Sequence, residues 1–288
     1  MRIFTGNLLL AIIEIKNLSF TYAGASAPSI RNVDLKVERG EFIILTGPTG
    51  CGKTTLCRCL NGLIPNFYSG VFEGSVKISG LDSREHPISE LAKNVGLVFQ
   101  NPENQLFSLS VERDIAFGPE NLGLPRADTK KRVEWAMRVT NTSHLRDSAP
   151  YELSGGQQQK VAIASVLAMR PEVIVLDEPT SFLDPRSSDE LLKTISELNK
   201  KFNLTIILVE HRLDLASKYA ERVIIMNNGG IFLDGPPSKV YNEDVYLLGI
   251  GIPKISLLFH LLRKDGIRIE RIPVSLKEAV DELRKKLS

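Results

Sequence analysis

The chain has 288 residues, 43% of them apolar, and Lys+Arg 36 against Asp+Glu 34 leave a net charge of +2. That length holds one sizeable α/β core and a small appendage, but not two such cores. The even charge gives no support to a nucleic-acid partner, and the longest apolar runs, Leu8–Ile13 and Val161–Met169, fall well short of the roughly 20 residues that span a bilayer, so membrane association would have to come through a partner.

Residues 1–27 carry Arg2, the apolar run LLLAII and a cleavage-like Ala25-Ser-Ala27, but Glu14 and Lys16 break the run. They read as a first strand behind a short extension, residues 1–11, or a start codon placed too early. From Ile12 to Val37 the alternating segments IIEIKNLSF and SIRNVDLKV predict half-buried antiparallel strands, with turns at Ala23-Gly24 and Arg39-Gly40. Phe42–Thr46 is instead a continuous apolar strand of the buried parallel type, followed by a Gly-rich loop and a helix over Thr54–Leu60. Asn94–Phe99 is another buried strand. Residues 101–152 read as a helical insertion punctuated by Pro119, Gly123 and Pro125, with an amphipathic helix over Lys130–Val139.

Beyond the insertion, strand Val173–Leu176, helix Ser187–Leu198, strand Leu204–Val209 and helix Leu213–Tyr219 alternate as in a parallel α/β sheet. Val223–Met226 and Ile231–Asp234, joined by Asn227–Gly230, predict a hairpin. Gly249–Pro253 reads as a boundary, followed by helix Ile255–Arg263, strand Ile267–Arg271 and helix Leu276–Leu287. So small a unit is expected to dock on the core or on a second copy of the chain.

Three stretches carry chemistry. GPTGCGKT, Gly47–Thr54, follows a strand and opens a helix, the setting a phosphate-binding loop requires. Its backbone N–H groups can cradle a β-phosphate, Lys53 can reach β and γ, and Thr54 can hold Mg²⁺. In VIVLDE, Asp177 and Glu178 fall at the C-terminal end of a buried strand, where α/β sheets bind ligands; Asp177 suits a Mg²⁺ shell and Glu178 a general base. LSGGQ, Leu153–Gln157, opens an apolar helix and offers a second anion site where one nucleotide needs only one. It is either a helix cap or a site for a nucleotide held by another subunit.

The order Gly-rich loop, Gln100, LSGGQ, VIVLDE, SFLD and His211 resembles the ATP-binding cassette (ABC) family over most of residues 12–240. The resemblance implies an α/β ABC ATPase fold: a P-loop NTPase core with an antiparallel β subdomain, a helical insertion and a small C-terminal α/β appendage. It also implies that two cassettes sandwich two ATP molecules head to tail. Gly47, Pro48, Thr49, Gly50, Cys51, Gly52, Lys53, Thr54 and Thr55 would then bind ATP, with Tyr22 stacked on adenine. Thr54, Gln100 and Asp177 would hold Mg²⁺, and Lys53, Gln100, Glu178 and His211 would serve catalysis. Ser154, Gly155, Gly156, Gln157 and Asp184 would face the partner's ATP. Taken alone, Tyr22 reads as packing and His211 as a structural residue.

Phe182 in SFLD and Lys160 after LSGGQ depart from the family's usual residues without removing a catalytic group. Cys51 also departs, and its place beside a helix N-terminus predicts a lowered thiol pKa and inhibition by alkylation. Crowded with Cys57 and Cys59, it fits a reduced protein better than a disulfide framework.

NPENQLF after Gln100, DIAFGPENLGLP from Asp114 and the C-terminal unit resemble the energy-coupling factor and cobalt-type importers. That narrower resemblance implies residues 12–248 as the ATPase, 249–288 as a dimerisation element and a place on the cytoplasmic face of the membrane. The implied partners are a second cassette (a copy or a paralogue), an integral membrane component and a substrate-binding membrane subunit that takes a vitamin or a transition-metal ion such as cobalt. An exporter subunit, or a soluble cassette acting on nucleic acid or the ribosome, is the alternative. The stretch between phosphate loop and signature shows no heptads for the long coiled coil of chromosome ATPases.

Overall fold

The computed structural model describes residues 11–242, 245–246 and 249–287. The extension expected at residues 1–11 therefore lies outside them, but for residue 11. In chain order the strands are β1 (Ile13–Tyr22), β2 (Ile30–Val37), β3 (Phe42–Thr46), β4 (Gly70–Ile78), β5 (Leu81–Asp82), β6 (Val95–Val98), β7 (Val173–Asp177), β8 (Thr205–Val209), β9 (Arg222–Asn227) and β10 (Gly230–Gly235). The longer helices are α1 (Lys53–Leu60), α2 (Val111–Asn121), α3 (Arg126–Val139), α4 (Gly155–Ala168), α5 (Pro185–Phe202), α6 (Leu213–Ala216, a single turn), α7 (Lys254–Lys264) and α8 (Leu276–Leu287).

The strands form two sheets. The antiparallel one runs β2-β1-β4-β5 and the other runs β10-β9-β3-β8-β7-β6, parallel except for the β9–β10 hairpin. Sequence reasoning missed β4 and the two-residue β5: in β4, Gly74, at φ +82, interrupts the alternation where β1 bulges between Lys16 and Ser19. In the central strands β3, β7 and β8 every residue is buried. Phe42, Ile44, Ile174, Leu176, Ile206 and Leu208 face one core, and Ile43, Leu45, Val173, Val175, Ile207 and Val209 face the opposite one. This two-sided burial is why these strands are unbroken apolar runs. It also sets β3, β8, β7 and β6 side by side, so the loops at their C-terminal ends share one edge.

The insertion is helical as expected: α2 and α3 pack with α4, which is buried nearly all round. Pro119 falls inside α2 rather than ending it, while Gly123 and Pro125 make the turn into α3. Helix α5 starts two residues earlier than expected because Asp184 caps it, accepting from the N–H groups of Arg186 and Ser187, and Pro185 fits the first helical position.

The C-terminal unit corrects one expectation. Ile267–Arg271 forms no strand, so among the described residues the appendage is helical rather than α/β. Side chains take the place of a neighbouring strand: Arg263 donates to the Ile269 carbonyl at 2.8 Å, and the Glu282 carboxylate accepts the Glu270 N–H at 3.0 Å. Phe259, Ile269, Ile272 and Ala279 make a small core of their own, while Ile250, Ile252 and Val274 join the main one. The Asp214 carboxylate receives the Lys254 N–H at the start of α7.

Gly96 of β6 packs beneath Val166 of α4 with no room for a side chain. A Cβ there would lie 2.2 Å from Val166 Cγ1. Gly96→Ala is expected to destabilise the fold by about 1–3 kcal/mol, seen as a lower urea midpoint at unchanged m-value.

Candidate active site

The phosphate loop leaves β3 and turns into α1 around two glycines that accept no side chain. A Cβ on Gly47, at φ +143, would meet the Met226 carbonyl at 2.1 Å, and one on Gly52, at φ +107, the Ser29 carbonyl at 2.5 Å. Gly52 caps α1 without a side-chain hydrogen bond. The first turn of the helix, Lys53, Thr54 and Thr55, therefore lines an open cleft of about 540 Å³ together with Ser29, Thr49, Gly50, Gln100, Glu178 and His211. A helix N-terminus opening on such a cleft is suited to phosphate. Lys53 is buried, its ammonium donating to the carbonyls of Gly47 at 2.9 Å and Pro48 at 3.0 Å.

Asp177 and Glu178, the carboxylates at the end of β7, divide between two environments. Asp177 is buried and accepts from Thr54 Oγ1 at 3.1 Å. Burial pushes its carboxyl above the usual range, against the Thr54 bond and the Lys53 charge, which pull it down. A hydroxyl and a carboxylate held together are hard oxygen donors of the kind Mg²⁺ takes, and a cation beside Asp177 would offset the burial. Among the described residues no cluster of three or more His, Cys, Asp or Glu could hold a metal alone.

Glu178 adopts a left-handed backbone at φ +49, unusual for a residue with a side chain. Its carboxylate is held from three sides: Gln100 Nε2 donates to Oε2 at 2.8 Å, Ser181 Oγ to the same oxygen at 3.1 Å, and His211 Nε2 sits 3.0 Å from Oε1. Gln100 comes from the end of β6 and His211 from the end of β8, the two neighbours of β7. The expected catalytic residues are thus brought together. Ser181 was missed, since nothing in its local pattern separates it from a loop serine. Glu210, also missed, reads as the polar end of strand LTIILVE, yet it is buried and accepts the N–H groups of His211 and Arg212.

Tyr22 lies near the loop but is not among the residues lining this cleft. Its hydroxyl is 3.3 Å from Thr55 Oγ1 and accepts from Arg58 at 3.0 Å, and its ring packs edge-on against Phe20 and Tyr68. Leu153–Gln157 lies apart from the cleft as well. Ser154 caps α4 in a capping box, its N–H bonded to the Gln157 side chain at 2.9 Å, with Gly155 and Gly156 in the first turn. Ser154 and Asp184 are exposed, and hydrogen bonds from Ser187 and Arg186 hold the Asp184 carboxyl below the usual range.

A family model described as ABC transporter matches residues 30–181. An energy-coupling factor transporter ATP-binding protein of Clostridium tetani is 42% identical over 280 residues, covering 95% of this chain and 96% of that one. A Methanosarcina acetivorans protein, provisionally named an ABC transporter ATP-binding protein, is 48% identical over 271 residues; the match takes in 93% of this chain, which spans 42% of that relative's length. Among solved structures, cbiO1 of Clostridium perfringens, described as part of the ABC transporter complex cbiONQ, aligns with a TM-score of 0.73 at 34% identity over 86% of this chain and 98% of that one. A dimeric ATP-binding cassette bound to ADP and Pi aligns at 0.68 with 27% identity over 78% and 98% of the two chains.

Cys51 overturns its expectation. It is buried, and burial raises its thiol pKa more than the neighbouring Lys53 charge lowers it. Since the thiolate is the nucleophile, alkylation of Cys51 by iodoacetamide at pH 7.5 is expected to be at least about tenfold slower in the folded chain than in urea. Equal rates would contradict the buried, protonated state.

Proposed function

We propose, for a chain that belongs to the ABC transporter family and is one of its ATP-hydrolysing cassettes, that it pairs with a second cassette and drives an importer of the energy-coupling factor type from the cytoplasmic face of a membrane. The observation that carries this reading is the grip of Gln100, His211 and Ser181 on Glu178 beside the phosphate loop, with the Ser154 turn exposed outside that cleft.

Each side chain then has a role. Residues Gly47 to Thr55 cradle the phosphates, Lys53 turns its ammonium from the loop carbonyls to the β- and γ-phosphates, and Tyr22 offers a ring face to adenine. Thr54, Asp177 and Gln100 hold Mg²⁺, which when bound neutralises charge developing on the phosphate oxygens. Glu178 takes the proton of the attacking water as general base, and His211 keeps that carboxylate aimed while contacting the γ-phosphate. Ser154, Gly155, Gly156, Gln157 and Asp184 complete the partner's site. Closing the pair around ATP does work only because the closed state binds ATP better than the open one.

The importer reading is supported by the resemblance to the C. tetani protein and by a groove of about 610 Å³. Leu97, Phe99, Phe107, Phe117 and Met169 line it, and Phe99 precedes Gln100. A helix of an integral membrane component seated there would press on Phe99, the residue before Gln100. No helix among the described residues is long and apolar enough to cross a membrane itself. Residues 249–288 serve as a dimerisation element, in keeping with the exposed Leu258, Leu261, Leu276 and Leu283 on α7 and α8. The cargo, a vitamin or a transition-metal ion such as cobalt, is chosen by a separate membrane subunit.

Purification from native membranes in mild detergent is expected to recover a polytopic membrane protein together with a small substrate-binding membrane protein. Recovery of only soluble proteins, ribosomes or nucleic acid would sink the importer reading and leave the ATPase standing.

A further inference from the structure

Glu210 is a carboxylate only 2% exposed, and neither the phosphate loop nor the Glu178 cluster uses it. Its Oε1 accepts the N–H groups of His211 at 2.8 Å and Arg212 at 2.9 Å, and its Oε2 accepts the hydroxyl of the fully buried Thr180 in a short hydrogen bond. The next residue but one reinforces this link. Arg212 Nη1 donates to the carbonyls of Thr180 at 3.2 Å and Leu183 at 2.8 Å, and to Ser188 Oγ at 3.1 Å. The turn after β8 and the segment from Glu178 to Asp184 are therefore fastened to each other at several points. One end of the fastened unit presents His211 and Glu178 to the cleft, and the other presents the exposed Asp184 that caps α5.

A buried carboxylate is costly to keep unless donors meet its oxygens, and here the donors are two backbone N–H groups and one hydroxyl. No donor of that set is a cation, so the arrangement gains nothing from an ion pair. What it does accomplish is geometric, because it fixes the height of His211 relative to Glu178 across a gap of 3.0 Å.

We infer that Glu210 is a positioning residue for hydrolysis: through Thr180 and the His211 turn it holds His211 and Glu178 in register, and it joins that pair mechanically to the loop leading to Asp184. The inference rests on the roles proposed above for Glu178 and His211. In Glu210→Ala the two N–H groups and the Thr180 hydroxyl lose their acceptor; the Arg212 bonds remain, but the His211 turn is held less tightly to the 178–184 segment. The phosphate loop, which binds the nucleotide, is untouched.

The test is steady-state ATP hydrolysis by the full-length chain. Glu210→Ala should lower kcat at least about tenfold with KM for ATP changed less than about threefold, the pattern of a contact that matters in the transition state alone. Glu210→Gln should keep kcat within about threefold, because its amide oxygen accepts both N–H groups and its NH₂ can donate to Thr180. Thr180→Val, which removes one tether and little else, should lower kcat in the same direction at unchanged KM, and it decides the matter if Glu210→Ala does not fold. Unchanged kcat in Thr180→Val, or kcat intact in Glu210→Ala with only a lower urea midpoint, would make Glu210 a stabilising residue and overturn the inference. Glu178→Gln separates the two levels. If that variant hydrolyses ATP like the wild type, the underlying site assignment fails; if it is inactive while Glu210→Ala is not, the positioning role fails alone.

Discussion

The carboxylate of Glu178 is the point on which the rest of the site depends. It ends β7, and the strand order places β6 on one side of it and β8 on the other, so Gln100 and His211 reach it from neighbouring loops. Sheet register decides this meeting: Val98 pairs with Leu176 and Asp177 with Val209, so the three strands end at one level. Side chains at strand ends can then meet without long loops. The cost falls on the backbone of Glu178, left-handed at φ +49, with its N–H donating to the Val209 carbonyl and its own carbonyl accepting the Ser181 N–H.

Two adjacent carboxylates with different surroundings divide the labour. Asp177 is buried against Thr54 and is harder to ionise there, an environment that a bound cation relieves. Glu178 faces the cleft, held by neutral donors and an imidazole. Two adjacent residues thus provide the two environments that the proposed cation site and general base require. Ser154, Gly155 and Gly156 stand apart from that cleft although they form a well-capped helix start. A capped helix start exposed outside the cleft of its own chain supports the proposed second cassette.

Most of this was legible from particular residues. Phe42–Leu45 and Val173–Leu176 announce themselves because strands covered on both faces carry unbroken apolar side chains. The glycines of the phosphate loop are read directly from the spacing, since each solves a steric problem that no other residue can. The illegible parts depend on contacts distant in sequence. Ile267–Arg271 alternates like a strand, but no neighbouring strand exists to pair it, and Arg263 and Glu282 satisfy its backbone instead. Cys51 looked activated by its neighbours, yet burial outweighs Lys53. Glu210 looked like a strand end, and only the fold brings Thr180 to it.

In the proposed pair, Ser154 of one chain closes over the nucleotide of the other. Light scattering of the Glu178→Gln chain in Mg-ATP tests it most directly, read beside the same chain carrying Ser154→Arg as well. The account predicts twice the monomer mass for the first and the monomer mass for the second. A Glu178→Gln chain that stays monomeric in Mg-ATP, or a double variant that dimerises as readily, would contradict it.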